Sequence, residues 1–182
     1  PWIDMENKLR GEKGKLCSLE SSHALKEFDI IGFSIQYEMN YLDMLNMLDL
    51  GGVPLYSRER GDSDPVVIAG GPCAFNPEPL ADFIDAFVIG EAEEVILEIV
   101  SAVKGEELRA NRGRESVLKK LSEIQGVYVP SITNPDRRSE HLSRSVIGMG
   151  SAAITKRIIK DLDSSFFPTD IIVSYIQIVH DR

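Results

Sequence analysis

The residue types that most often carry catalysis do not form a recognisable set in this chain. The three histidines are His23, His141 and His180. None of them follows a predicted strand beside a nucleophile, so the sequence predicts neither a Ser–His–Asp nor a Cys–His arrangement. The two cysteines, Cys17 and Cys73, are too few for a disulfide framework or for the ligand set of a zinc or iron–sulfur site.

Two weaker catalytic candidates have simpler structural interpretations. Cys73 follows a predicted strand and could act as a nucleophile, but a small, buried apolar role fits it better. Glu93 and Glu94 fit a solvated first helical turn better than an acid/base pair. Low cysteine usage is typical of a reducing compartment, so we expect a cytoplasmic protein. The sequence therefore favours binding over catalysis by this chain itself.

Charge and hydropathy exclude several classes of partner. The net charge is −9 and the pI is about 4.9, and an acidic surface repels nucleic-acid backbones. The basic stretches 109–114 and 137–138 lack interleaved aromatic residues, so we interpret them as solvated loops. No stretch approaches the roughly 20 apolar residues that a membrane helix needs. The start at Pro1 lacks both Met and a signal-peptide pattern, which indicates a fragment.

Apolar periodicity predicts alternating strands and helices. Short apolar runs typical of strands buried on both faces occur at Phe28–Ser34, Pro65–Ala69, Ala86–Ile89 and Gly126–Pro130. A helix is predicted after the first strand, with an N-cap at Asn40 and a stop at Gly51–Gly52, and a short one after the second, at Pro79–Phe83. Two amphipathic helices, at Ala92–Val103 and Val117–Ile124, are predicted between the third strand and the fourth. This alternation predicts an α/β, Rossmann-like (flavodoxin-like) fold with a doubly wound parallel sheet and helices on both faces.

The composition divides the chain into three parts. Residues 1–130 form the predicted α/β domain. Residues 131–170 are predicted to be a linker that is partly disordered, because 134–151 is polar and rich in Ser, Arg and Gly. Residues 171–182 begin a further domain, since Ile171–Val179 is strongly β-prone. If the sheet lacks its first strands, an exposed edge remains, and we expect the tail strand or a second copy of the chain, as a homodimer, to cover it.

The carboxyl edge of the predicted sheet, here called the rim, is where open α/β sheets bind ligands. The candidate binding residues there are Ser34, Gln36, Tyr37, Gly70, Gly71, Pro72, Cys73, Gly90 and Glu91. The glycines allow either close approach of a ligand or tight turns, and the sequence leaves both explanations open. No G-x-G-x-x-G or G-x-x-x-x-G-K-[ST] motif occurs. Pro72 removes one N–H, and the acids from Glu91 onward repel phosphate, so the rim favours a large, flat, weakly charged ligand.

Several long strings resemble one family. They are PWIDMENKLR at 1–10, FDIIGFSIQYEMNYLDMLNMLDLGGVPL at 28–55, VIAGGPCAFNPEPLADFIDAFVIGEAEEVILEI at 67–99 and GVYVP at 126–130. They resemble radical S-adenosylmethionine (SAM) proteins in which a cobalamin-binding-like domain precedes the radical barrel. The tail SYIQIVHDR is similar to the first strand of that barrel. The resemblance implies a corrin ring over the rim, with Ser34, Gln36 and Tyr37 on one side, Gly70, Gly71 and Pro72 under the ring, and Gly90 and Glu91 on the far side.

Two departures from the family pattern limit what the chain is expected to do. The resemblance implies that the chain begins after the family's first strand, first helix and second strand, and no D-x-H-x-x-G motif for a cobalt ligand occurs in it. It also stops before the C-x-x-x-C-x-x-C triad, so the 4Fe-4S cluster and S-adenosylmethionine belong to a parent radical SAM enzyme of unknown substrate. The resemblance implies that the chain's partner is the radical SAM barrel of the same polypeptide.

Three hypotheses follow for the chain itself. The first is a cobalamin-binding module, and the second is a degenerate docking domain that no longer binds cobalamin. The third, a stand-alone enzyme that uses a nucleotide, is disfavoured because the glycine-rich fingerprints are missing and the third rim loop is acidic.

Overall fold

Four strands form a single sheet in the order β1-β2-β3-β4. The computed structural model describes residues 3–12, 14–104, 113–135, 154–165 and 169. The strands are β1 (Ile30–Ser34), β2 (Val66–Gly70), β3 (Ala86–Val88) and β4 (Val127–Tyr128). The helices are α1 (Ile3–Gly11), α2 (Asn40–Leu50), α3 (Val95–Lys104), α4 (Arg114–Ser122) and α5 (Pro130–Thr133). Short 3-10 helices lie at Leu25–Glu27, Ser57–Glu59, Pro72–Phe75 and Glu78–Leu80.

The first three strands are parallel, as the sequence predicts, and the fourth is not. Ile31 lies opposite Val67, and Ile68 lies opposite Ala86, both in parallel pairs. β4 pairs antiparallel with β3, so the prediction of a wholly parallel sheet is wrong for this strand. The reason is that two helices, α3 and α4, separate β3 from β4. One helix returns the chain to the amino edge of the sheet, and the second brings it back to the carboxyl edge before β4 begins.

Both faces of the sheet are buried, as the near-continuous apolar strands predict. Odd-numbered β2 residues such as Val67 contact a core formed with α2 and the 3-10 helices, which includes Met44 and Leu48. Even-numbered residues such as Ile68 contact a second core formed with α3 and α4, which includes Ile99. Helical segments on both faces confirm the predicted α/β, Rossmann-like class.

Some predicted element boundaries differ from the structure. Asn40 is the first residue of α2, and the preceding Met39 occupies the N-cap without a side-chain hydrogen bond. The helix predicted at Pro79–Phe83 is a single 3-10 turn at Glu78–Leu80, because the Ala81 N–H bonds to the Glu78 carbonyl, three residues back. α2 ends as predicted at Gly51–Gly52, and Gly52 has a φ of 69°. Residues 136–151 of the predicted loop at 134–151, and the predicted strand Ile171–Val179, lie outside the described residues.

The amino edge of the sheet contains a buried charged network, defined by Ser57, Arg60, Asp85 and Arg114. Asp85 directly precedes β3 and is only 1% exposed. Its carboxylate accepts hydrogen bonds from Ser57 Oγ at 2.5 Å, Arg60 Nη1 at 2.9 Å, Arg114 Nη2 at 2.6 Å and the Val67 N–H at 2.7 Å. Such a network links the 57–60 turn, β2, β3 and α4 around one carboxylate.

Arg60 is enclosed as completely as its partner. Its guanidinium also donates to the carbonyl oxygens of Pro54, Leu55 and Phe83, at 2.9, 2.8 and 2.7 Å. Burial lowers the pKa of Arg60, while the adjacent Asp85 carboxylate opposes that shift. Because the charged groups are paired and hydrogen-bonded, their burial is tolerated. No helix in the described part of the chain is long and apolar enough to cross a membrane.

Candidate ligand-binding site

The carboxyl ends of β1 and β2 bring one group of predicted rim residues together. The Ile35 N–H donates to the Gly70 carbonyl at 2.8 Å, and the Cys73 N–H donates to the Ile35 carbonyl at 3.2 Å. These bonds place the loop after β1 directly beside the loop after β2. At the surface of the first loop, Gln36 Nε2 donates to Ser34 Oγ at 3.0 Å. Both predicted clusters, 34–37 and 70–73, therefore lie side by side at one edge of the sheet.

The neighbouring main chain accounts for Gly71. Its φ is 91°, and a Cβ atom there would lie 2.8 Å from the Ile35 carbonyl oxygen. Gly70 differs, because a Cβ atom there would be in ordinary contact with Val88, at 3.8 Å. The sequence left open whether these glycines allow a ligand to approach or the chain to turn. At Gly71, the close approach of the two loops is a sufficient reason for glycine.

Four exposed apolar side chains surround these two loops and are called here the apolar shelf. Tyr37 is 52% exposed, Met39 78%, Leu42 75% and Phe75 58%. Tyr37 and Met39 belong to the loop after β1, Leu42 to the first turn of α2, and Phe75 to the 3-10 helix after β2. Apolar groups concentrated at a sheet's carboxyl edge are typical of a contact surface for a ligand or a protein.

Sequence reasoning identified only one residue of the apolar shelf, Tyr37. Leu42 could have been found, because it is an apolar residue that lies off the buried face of α2 marked by Tyr41, Met44 and Leu48. Met39 and Phe75 gave no comparable signal, because loop residues follow no periodicity.

Cys73 lies half-buried between this surface and the first core. It is a free cysteine and packs against the core cluster that contains Ile35 and Ala74. The pKa of Tyr41 is raised, mainly by burial and then by the neighbouring Cys73 and Glu38. Because Cys73 is partly buried against the core, its geometry suits packing better than nucleophilic attack.

The carboxyl end of β3 is covered by the chain itself. Residues 154–165, called here the strap, return to this edge after the segment outside the described residues. The Arg157 N–H donates to the Ile89 carbonyl at 2.9 Å, and the Glu91 N–H donates to the Arg157 carbonyl at 3.2 Å. Gly90 and Arg157 thus form an isolated parallel bridge, and the strap extends the sheet beyond the end of β3.

Side chains fix the strap in the same position. The Arg157 guanidinium contacts Glu94 at 2.9 Å and Glu98 at 2.7 Å. These contacts raise the pKa of Arg157, chiefly through the hydrogen bond to Glu94. The Glu91 carboxylate accepts a hydrogen bond from the N–H of Ile159, whose side chain is buried.

Two glycines make room for the strap. Gly90 has a φ of 116° and Gly126 a φ of 87°. A Cβ atom at Gly90 would collide with the Arg157 main chain, and one at Gly126 would lie 2.8 Å from the Arg157 Cβ. The predicted contacts of Gly90 and Glu91 with a ligand remain predictions, and in the structure both residues contact the strap.

The strap also reaches the apolar shelf. The Lys156 ammonium lies 5.6 Å from the centroid of the Phe75 ring, within the range of a cation–π interaction. The rim therefore has two halves, an open one at β1 and β2 and a covered one at β3 and β4, and Lys156 lies where they meet.

The described residues at the rim offer apolar side chains, main-chain groups and a few polar side chains. Among them, no group of three or more His, Cys, Asp or Glu side chains could hold a metal ion. His23 lies away from the rim, with its ring centroid 6.4 Å from that of Phe28 in an edge contact. His141 and His180 fall outside the described residues. This arrangement can bind a ligand or a protein surface through apolar area and main-chain groups.

Comparison with known proteins identifies the family. Residues 1–130 match the family model described as radical SAM proteins, N-terminal. The chain belongs to this family. The match confirms the family resemblance based on the strings in 1–130. It ends at Pro130, whereas the strap that covers β3 lies beyond that limit.

One relative extends this comparison. The radical SAM N-terminal chain is 32% identical over 87 residues to the uncharacterized protein MJ0966 of Methanocaldococcus jannaschii. The aligned region covers 46% of this chain and 18% of that relative, so the chain spans less than a fifth of the relative's length. No solved structure matches the chain.

Proposed function

We propose that this radical SAM N-terminal domain binds a corrinoid on the open half of its rim. The observation that carries the proposal is the apolar shelf, which combines Tyr37, Met39, Leu42 and Phe75 at the edge where α/β sheets bind ligands. A flat macrocycle has large apolar faces and a polar periphery, and such a ligand is held by apolar contact with a few polar groups at its margin.

The residue types of the open half match the apolar faces and the polar periphery of such a ligand. Tyr37 and Phe75 supply aromatic area, and the exposed Ser34 and Gln36 supply hydrogen-bonding groups for a polar periphery. A bound corrinoid would supply a cobalt centre that exchanges electrons or alkyl groups. No described residue of the rim is a histidine, so the described rim would contact the ring without supplying an imidazole ligand to the metal.

One glycine on each half of the rim favours a second candidate function. Gly71 and Gly90, two glycines of the expected ring contact, are already accounted for by contacts with Ile35 and Arg157. A domain that has lost its cofactor would keep such internal contacts and use the apolar shelf to dock a protein surface. The partner would then be the catalytic barrel of the same protein.

A titration separates the two functions. The intact protein is titrated with hydroxocobalamin, and binding is measured by absorbance and equilibrium dialysis. We expect Met39→Lys with Phe75→Ala to weaken binding by about tenfold or more, because the variant removes two apolar contacts worth roughly 1.4 kcal/mol together. Leu19→Lys is the matched control, since Leu19 is 65% exposed and lies away from the rim.

The outcomes differ clearly. Wild-type protein that shows no binding at about 1 mM cobalamin would contradict the corrinoid proposal. If the same shelf variants then impaired the activity of cobalamin-free intact protein, the docking function would be supported.

A further inference from the structure

We propose that the strap is a permanent wall of the ligand site, that it presents Lys156 to an anionic group of the ligand, and that Arg157 is the residue that positions it. The ligand-contact part of this inference rests on the proposed function. The family match ends at Pro130, so the proposal adds residues 154–165 to the binding unit.

The contacts of Arg157 fit a wall better than a removable plug. Its main chain makes two hydrogen bonds to the end of β3, and its guanidinium forms ion pairs with Glu94 and Glu98. Releasing the strap would break all of these contacts together and expose Ile159, which is 9% exposed in the structure.

The glycines support the same conclusion. Gly90 and Gly126 have left-handed main chain at the two points where Arg157 approaches most closely. Glycine there costs conformational entropy on folding, and the strap gives each position a reason for it.

Lys156 differs from its neighbour in having no carboxylate partner. Arg157 has two ion pairs, whereas Lys156 forms none with the residues that the structure describes. Its ammonium lies over Phe75 of the apolar shelf, in a chain whose net charge is −9. A cation held beside an exposed aromatic ring suits a ligand that combines an apolar face with a phosphate or carboxylate group.

The first test asks whether the strap is fixed by Arg157. Amide hydrogen exchange is measured for Glu91, Arg157 and Ile159 in the intact protein and in Arg157→Gln. We expect exchange at these amides to rise about tenfold or more in the variant, because both ion pairs are lost. Lys160→Gln is the matched control, because Lys160 is exposed and lies in the same segment.

A second variant keeps this test decisive. Glu94→Gln with Glu98→Gln removes the same two ion pairs by changing the carboxylates and leaves Arg157 intact. We expect the same rise in exchange. Unchanged exchange in both variants would overturn the role given to Arg157, and exchange already at the unprotected rate in wild-type protein would overturn the wall.

The second test compares two probes, cobalamin, which carries a phosphodiester, and cobinamide, which lacks the phosphate. Lys156→Gln should weaken cobalamin binding about threefold to fivefold, as for a single exposed charge pair, and leave cobinamide binding unchanged. Equal effects on both probes, or none, would contradict the contact with an anion. Lys160→Gln serves again as the control.

The affinity of Arg157→Gln distinguishes a wall from a plug. A wall predicts weaker binding of cobalamin in this variant, and a plug predicts tighter binding, which would overturn the proposal. Wild-type protein that binds neither probe would contradict the proposed function and the role of Lys156 with it, while the exchange measurement would still decide whether the strap is fixed.

Discussion

The two edges of the sheet use polar and apolar residues in opposite ways. At the amino edge, Asp85 and Arg60 have fully buried side chains that pair with each other. At the carboxyl edge, the aromatic side chains of Tyr37 and Phe75 are more than half exposed. Burying charge and exposing apolar area both cost free energy unless partners compensate them.

The difference lies in where those partners are found. Hydrogen bonds from this chain satisfy the Asp85 carboxylate. In the described part of the chain, each side chain of the apolar shelf is more than half exposed, and Phe75 meets only the Lys156 ammonium in a ring contact. The amino edge is thus organised for stability and the open half of the carboxyl edge for contact with another molecule.

Asp85→Asn, at the amino edge, should destabilise the fold more than any other substitution considered. Without the carboxylate, the Arg60 guanidinium is buried without its counter-charge, and we expect the free energy of unfolding to fall by about 3–5 kcal/mol. Urea denaturation measures this loss. Asp82→Asn is the control, because Asp82 is exposed and its change should cost less than about 0.5 kcal/mol. Equal stability of the two variants would contradict the role of the buried network.

Gly90→Ala tests the covered half of the rim. Gly90 has a positive φ, and the added methyl group would collide with the Arg157 main chain. We therefore expect the free energy of unfolding to fall by about 2–4 kcal/mol. Gly52→Ala is a matched control, since Gly52 has a φ of 69° and no atom within 4 Å of the added methyl group. Its cost should be the conformational strain alone, about 1–2 kcal/mol. Thermal unfolding of both variants measures the difference due to the strap.

Gly71→Ala and Gly70→Ala sharpen the comparison within the open half. Gly71 has a positive φ, and an added methyl group would collide with the Ile35 carbonyl. We therefore expect Gly71→Ala to lower the free energy of unfolding by about 2 kcal/mol. Gly70→Ala should change stability by less than about 1 kcal/mol, because the new methyl group meets only Val88 at van der Waals distance. If the two substitutions cost the same in urea denaturation, packing of the two loops does not explain Gly71.

Apart from the controls, substitution of Asp64, at the amino edge, is expected to change the free energy of unfolding least. Burial acts to raise its pKa, but the Gly61 N–H at 2.8 Å and the Lys26 ammonium at 3.1 Å outweigh burial and hold the pKa of Asp64 below its ordinary value. A depressed pKa stabilises the folded state above the unfolded value of about 3.9, and the stabilisation is lost as the pH falls through the folded pKa. Asp64→Asn should therefore cost about 1 kcal/mol at pH 7 and less at about pH 3, measured by urea denaturation. A cost that does not change with pH would contradict the assignment.

The sequence predicted the parallel strands and the rim because both depend on local patterns. Runs such as Val66–Gly70 are apolar throughout, which is typical of a strand buried on both faces. Both helices before β4 were predicted, but the parallel-sheet prediction assumed one helix between neighbouring strands, and the second helix reverses the direction of β4.

The strap and the charged network escaped prediction for a different reason. Arg157 meets Gly90 across a sequence separation of more than sixty residues, and the strap has no periodicity of its own. Asp85 is a single acid before an apolar strand, and its partners Arg60 and Arg114 come from separate elements. Only the folded chain brings such residues together, so no local pattern marks them.

The left-handed glycines at the strap have an evolutionary consequence. Gly90 and Gly126 are separated in sequence, yet the same residue, Arg157, lies against both of them. A homologue that dispensed with the strap would lose the contact with Arg157 at both positions at once. The two positions should therefore change together in family members without this segment, and a residue other than glycine at either one would mark a rim whose second half is uncovered.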